Sequence, residues 1–76
     1  MKDQLIYWFL KGIIAIYGKV ATRVKPCTEK AEYMYKMGDI GKKLIETGEP
    51  KFMALGMKIA AINLVVATND IKSLMA

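Results

Sequence analysis

A chain of 76 residues has room for one small domain, so we treat residues 1–76 as a single domain. Apolar residues make up 54% of the chain, which is above the roughly 45 to 50% of soluble domains, and a core this small cannot take up the excess. The single cysteine, Cys27, excludes an intrachain disulfide, and the net charge of +5 gives only a modest preference for anionic partners.

The first helical segment ends near Pro26. A proline disfavours helical backbone at the residue before it, here Lys25, and it has no amide hydrogen to donate. Thr28 follows and has the side chain of a good N-cap residue, so we expect it to cap the second helix. The sequence therefore predicts a first helix over residues 3–23.

The second break lies at Gly48 and Pro50. Glycine suits the left-handed residue that follows a helix, and proline suits the first position of the next helix. We predict helices over residues 29–47 and 50–67, with a short C-terminal turn that begins at Asn69 or Asp70. The apolar residues follow a period of 3.6 and not 2. The fold class is thus all-α: a helical hairpin plus a third helix, completed by oligomerisation.

The first helix is apolar around about two-thirds of its circumference, whereas a surface helix usually shows one apolar stripe of about 100°. A helix of this kind needs at least two neighbours, or lipid. Within a 76-residue chain we expect part of this surface to meet another copy. The residues that we assign to that contact are Ile13, Ile16 and Val20.

The third helix carries lysines on one side and small residues on the other. The small or polar residues are spaced four, three and four apart, which lets two helix backbones approach closely. The strip either packs on the first helix of the same chain or joins two copies. Asn63 would then donate or accept a hydrogen bond across the contact, because a buried amide without a partner costs about 1 to 3 kcal/mol. The strip consists of Gly56, Ala60, Asn63 and Ala67.

The middle helix has one apolar face and one charged face, as in a helix that faces water. Glu32 with Lys36 and Asp39 with Lys43 are spaced for ion pairs along the helix, each worth about 0.2 to 0.5 kcal/mol. These charges largely neutralise one another. We therefore interpret this face as solvated.

Positive charge concentrates at the elbow between the first and second helices. The N-terminus of the second helix adds backbone amides beside this cluster, which favours anions. We predict a site here for nucleic acid or anionic lipid headgroups, and the alternative is a plain soluble connection. Cys27 lies within this region and is either a reactive thiol or an incidental small residue. The predicted anion-binding residues are Lys19, Arg23, Lys25 and Lys30.

Catalysis finds little support in the sequence. The chain has no histidine, Ser73 is its only serine, and its acidic residues are scattered or spaced to pair with lysines. Acid–base catalysis needs a positioned group in a pocket, and zinc sites need cysteine and histidine ligands. We expect no enzyme activity, no catalytic residues, no metal, no cofactor and no small-molecule substrate.

Three functions remain open. The first is a structural protein that self-associates as a subunit of a coat, a filament or a small oligomer. The second is a membrane protein with two spans and a basic cytoplasmic segment, although Lys11 and Lys58 would each cost about 2.5 to 3.5 kcal/mol in a bilayer. The third is a small helical regulator that docks on a larger protein. We expect the protein inside the cell or in an assembled particle rather than secreted, with membrane association as the alternative.

Overall fold

The structure is a computed structural model that describes residues 2–75. It contains three helices: α1 (Lys2–Arg23), α2 (Thr28–Glu46) and α3 (Pro50–Met75). No strand occurs within these residues. The prediction of an all-α fold with three helices is confirmed.

The elbow between α1 and α2 spans residues 24–27 and ends in an unexpected cap. Cys27 has extended backbone angles, and its Sγ accepts a hydrogen bond from the backbone N–H of Lys30 at 3.4 Å. Thr28 is already the first helical residue, so the expectation that it caps α2 was wrong by one position. Sulfur accepts hydrogen bonds weakly, which is why cysteine is not a usual sequence signal for a helix start.

The turn between α2 and α3 follows the prediction. Gly48 has a φ of +75°, a backbone conformation that glycine adopts without steric cost, and its N–H donates to the carbonyl of Ile45 at 3.3 Å. The next helix begins at Pro50. Glycine and proline therefore set both sides of this turn.

The C-terminal part of α3 differs from the prediction. Residues 68–75 continue the helix and do not form a separate short turn. The Oγ1 of Thr68 donates to the carbonyl of Leu64, and the carboxylate of Asp70 binds Lys30 of α2. Asp70, one of the two residues predicted to start a new turn, is thus engaged with another helix.

The longest helix, α3, lies between the other two. Its Phe52 ring packs against Tyr7 of α1, with centroids 6.4 Å apart, and its Ile62 lies beside Gly18 farther along α1. In both pairs the residue farther along α1 meets the residue farther along α3, so these two helices run parallel. Helix α2 runs antiparallel to them. Most contacts of α1 and α2 are with α3, so the molecule is elongated, measuring 47 × 19 × 16 Å. The buried apolar core comprises Ile14, Tyr17, Ala21, Met37, Leu44, Phe52, Leu55, Ile59 and Val66.

Helices α2 and α3 approach most closely at two glycines. A Cβ atom added to Gly41 would lie 3.2 Å from the carbonyl oxygen of Gly56, and one added to Gly56 would lie 2.7 Å from Cγ1 of Ile45. The small-residue strip of α3 therefore packs on α2 at this point. At Gly56 the strip does not pack on α1, because α1 contacts the neighbouring face of α3 through Ile62, but Asn63 of the strip does contact α1 through the hydroxyl of Tyr17.

Candidate functional site

An open apolar cleft separates α1 from α2. It exists because both helices pack on α3 and touch each other little along the described residues. Its volume is about 390 Å³, which is within the usual range for a ligand or side-chain pocket. Most of the lining is aliphatic or aromatic, and the polar groups lie at the elbow end. The cleft is lined by Ile13, Ile16, Tyr17, Val20, Ala21, Val24, Cys27, Glu29, Lys30, Tyr33, Met34 and Met37.

The three α1 residues assigned to an oligomer contact all line this cleft. Ile13, Ile16 and Val20 expose 37%, 64% and 51% of their surface to solvent. Tyr33 of α2, which is 66% exposed, lines the opposite wall. The structure thus brings these apolar side chains together and leaves them uncovered within the part of the chain that it describes.

The four α3 residues assigned to the same contact differ in whether a second copy could reach them. Gly56 is buried against α2 and Asn63 is half-buried between helices, so neither is available to a second copy in this fold. Ala60 is exposed and Ala67 is half-buried. Their role in an oligomer contact stays a prediction.

Asn63 joins all three helices. Its Nδ2 donates to the backbone carbonyl of Met34 on α2 at 3.1 Å, and its Oδ1 accepts a hydrogen bond from the hydroxyl of Tyr17 on α1. Burial raises the pKa of Tyr17 above its ordinary value of 10.0. The hydroxyl therefore stays protonated in the folded chain and keeps its hydrogen bond to the amide.

Tyr17 should make stability fall at alkaline pH. Its folded-state pKa is raised, so the unfolded chain releases the phenolic proton first and is favoured as the pH rises through and above about 10. Below about pH 10 the stability that the protonated Tyr17 hydroxyl contributes is fully present. We expect the free energy of unfolding in urea to fall less steeply between pH 9 and 11 for Tyr17→Phe than for the unmodified protein. Tyr35→Phe, at an exposed tyrosine, is the control, and equal slopes for both variants would contradict the assignment.

The basic elbow is smaller than the sequence predicts. Lys19, Arg23 and Lys25 are exposed, but Lys30 is buried. The Nζ of Lys30 donates to the carboxylate of Asp70 at 3.0 Å and to a backbone carbonyl of the elbow at 2.7 Å. With these partners Lys30 is unavailable to an external anion. Assigning it to the anion-binding set was therefore wrong.

The ion pair of Lys30 and Asp70 was not recognised in the sequence. The two residues lie 40 positions apart, and Asp70 falls in the segment that was predicted to form a separate turn. Once α3 is taken as continuous, Asp70 is placed opposite the start of α2. No shorter-range pattern marks the pair.

Metal ligands do not cluster among residues 2–75, where no group of three histidine, cysteine, aspartate or glutamate side chains lies close enough to hold an ion. Cys27 is exposed and unbonded to another cysteine. Its sulfur is used as the N-cap of α2. This gives the residue a structural role that does not require thiol reactivity.

The chain exposes more surface than a compact monomer of its size. Its accessible surface is 5875 Å². A folded monomer of 8.5 kDa is expected to expose about 4,700 Å² from the scaling of surface with mass. The excess is roughly 1,200 Å², which is larger than the ~800 Å² that one partner contributes to an interface of standard size.

Two helical segments are long and apolar enough to cross a membrane, judged by length and composition alone. They are Gln4–Arg23 and Pro50–Met75, with mean hydropathies of 1.3 and 1.5. Within an apolar stretch of 18 residues in each segment, only 17% and 28% respectively is buried in the chain, so most of each stretch is uncovered. Comparison with protein-family models, curated proteins and solved structures finds no match to this chain.

Proposed function

We propose that the protein is a non-enzymatic assembly subunit, and that a helix of another copy covers the cleft between α1 and α2. The observation that carries this proposal is the exposed apolar wall of the cleft, above all Ile16 and Val20. Burying an aliphatic side chain contributes about 1.5 to 3 kcal/mol. Several such side chains on each copy offset the free-energy cost of association.

Packing of α2 along α3 favours a protein partner over a bilayer. Met34 and Gly41 of α2 lie beside Asn63 and Gly56, in the middle of α3. If α3 crossed a membrane, the part of α2 between these contacts would lie at the same depth. That part carries charged side chains exposed to the surroundings, each costing about 2.5 to 3.5 kcal/mol in the bilayer centre. They include Lys36 and Asp39.

The central test is to place a charge in the cleft wall. Ile16→Asp should break the contact at the cleft, because an aspartate buried there would lose its hydration without gaining a partner. We expect the mass measured by light scattering to fall while the helical circular dichroism is retained. A fold that survives and an unchanged mass would contradict the proposal.

A control for this test lies on the same helix. Ala15→Asp adds the same charge one residue away, on the polar side of α1, at a position that is also exposed. It should leave the mass unchanged. If the unmodified protein is already a monomer, the regulator that docks on a larger protein becomes the better interpretation.

We also propose that the basic elbow contacts a polyanion, now through Lys19, Arg23 and Lys25. Its support is that all three side chains are exposed at one end of the molecule, while Lys43 of α2 is paired with Asp39 at 3.2 Å. An exposed lysine that is already paired with a carboxylate attracts a phosphate less strongly. The elbow is thus the better surface for nucleic acid or anionic headgroups.

Charge reversal tests the elbow. For Arg23→Glu with Lys25→Glu, binding to DNA and to phosphatidylserine vesicles should be lost. In the unmodified protein, binding should weaken steeply with salt, because each neutralised phosphate contributes about 0.9 to the log–log slope. Reversal of Lys42 and Lys43 is the control and should have a smaller effect. Equal losses would indicate diffuse net charge, and no binding to either polyanion would contradict an anion site.

A further inference from the structure

The outward face of α3 carries a second uncovered apolar stripe, away from both α1 and α2. Its members repeat at alternating intervals of three and four residues from one end of the helix to the other. Met57, Leu64 and Ile71 are 63%, 70% and 56% exposed, and Met75 is 82% exposed. All members are exposed, and they are Ala54, Met57, Ala61, Leu64, Thr68, Ile71 and Met75. We call this set the α3 seam.

Alternation of three and four residues is the heptad pattern of helices that pair with one another. A stripe of this period, 3.5 residues, stays in register with a partner helix that has the same period. Contact with lipid needs no such register, because a bilayer covers any apolar arc. The spacing therefore points to a helix as the occupant.

We propose that the α3 seam pairs in parallel with the same helix of a second copy, as a two-stranded coiled coil. Its flanks support an identical partner in this orientation. One edge of the seam carries Lys58 and Lys72, and the other edge carries Ala60 and Ala67. In a parallel pair, each lysine edge faces the alanine edge of the partner. An antiparallel pair would set lysine edge against lysine edge.

The placement of the two apolar surfaces supports two contacts on each chain. The excess exposed surface of roughly 1,200 Å² is more than the ~800 Å² that one standard interface covers on each partner and less than two such interfaces need, so at least one of the contacts is smaller than standard. The cleft and the α3 seam lie on different helices and different faces, so one partner copy cannot cover both. Two separate contacts on each chain predict an assembly larger than a dimer, an inference that rests on the proposed self-association.

Disulfide trapping tests the seam directly. Thr68→Cys is made in a Cys27→Ser background, because serine also caps a helix and removes the native thiol. Two parallel copies place this position opposite its own counterpart across the seam, and a disulfide forms where the two Cβ atoms come within about 3.5 to 4.5 Å. Mild oxidation should convert most of the protein to a covalent dimer. Thr22→Cys, on the exposed polar side of α1, is the control and should cross-link at least tenfold more slowly.

Cross-linking no faster than the control would overturn the parallel seam. Mass measurements then separate this inference from the proposed function. Leu64→Asp should reduce the assembly to a dimer held by the cleft, Ile16→Asp to a dimer held by the seam, and both together to a chain of 8.5 kDa. An unchanged mass for folded Leu64→Asp would overturn the seam alone, and an unchanged mass for Ile16→Asp would overturn the cleft contact alone.

Discussion

Replacing Asp70 with alanine should destabilise the fold by about 3 kcal/mol, the lower end of the range for breaking a buried ion pair. The side chain of Lys30 is 5% exposed, and that of Asp70 is 22% exposed. Without the carboxylate, the ammonium group keeps only the carbonyl of Val24 as a partner. The free energy of unfolding in urea, measured on a mutant confirmed to be helical, checks this expectation.

The matched control is Asp39→Ala, which removes the partner of Lys43 on the surface of α2. That pair is 3.2 Å long, and its side chains are 52% and 74% exposed. An exposed pair along one helix contributes only about 0.3 to 0.5 kcal/mol. Similar losses for Asp70→Ala and Asp39→Ala would contradict the view that the buried pair holds the elbow against the end of α3.

Gly56→Ala should also destabilise the fold, by about 1 to 3 kcal/mol, because it overpacks the closest approach of α2 and α3. The added methyl group would collide with the carbonyl oxygen of Gly41 and lie 2.7 Å from Cγ1 of Ile45. Both helix backbones would have to move apart. A lower midpoint of thermal unfolding, compared with the unmodified protein, is the measurement.

Gly12→Ala provides the control on α1. Apart from its chain neighbours and the backbone of α1, no heavy atom lies within 4 Å of a Cβ added at Gly12, so the substitution brings only the helix preference of alanine, about 0.5 to 1 kcal/mol. It should raise the midpoint. If Gly56→Ala also raised the midpoint, the close helix contact would not exist as described.

Local signals were sufficient for most of the fold. Pro26, Gly48 and Pro50 act on their own backbone or on that of a neighbour, so the breaks between helices could be predicted from the sequence. The continuation of α3 through Asp70 could not, because Asn69 and Asp70 are residue types that also start new helices, and the partner of Asp70 lies on another helix. The cap at Cys27 was missed because a weak acceptor replaced the expected hydroxyl.

The candidate surfaces were predictable only in part. The width of the apolar arc on α1 singled out Ile13 and Ile16, which do line the cleft. The cleft itself requires α3 to lie between the other helices, and the pattern of each helix taken alone does not determine that order. Gly56 shows the same limit: its spacing indicated a close helix contact, but the partner helix was α2.

The most direct measurement is the mass of the unmodified protein in buffer without detergent, at tens of micromolar and over a range of concentrations. Self-association predicts a soluble species several times heavier than 8.5 kDa, with a mass that does not depend on added mild detergent. A stable mass of 8.5 kDa, or a protein that remains in solution only when detergent is present, would contradict the proposal that copies of this chain cover its exposed apolar faces.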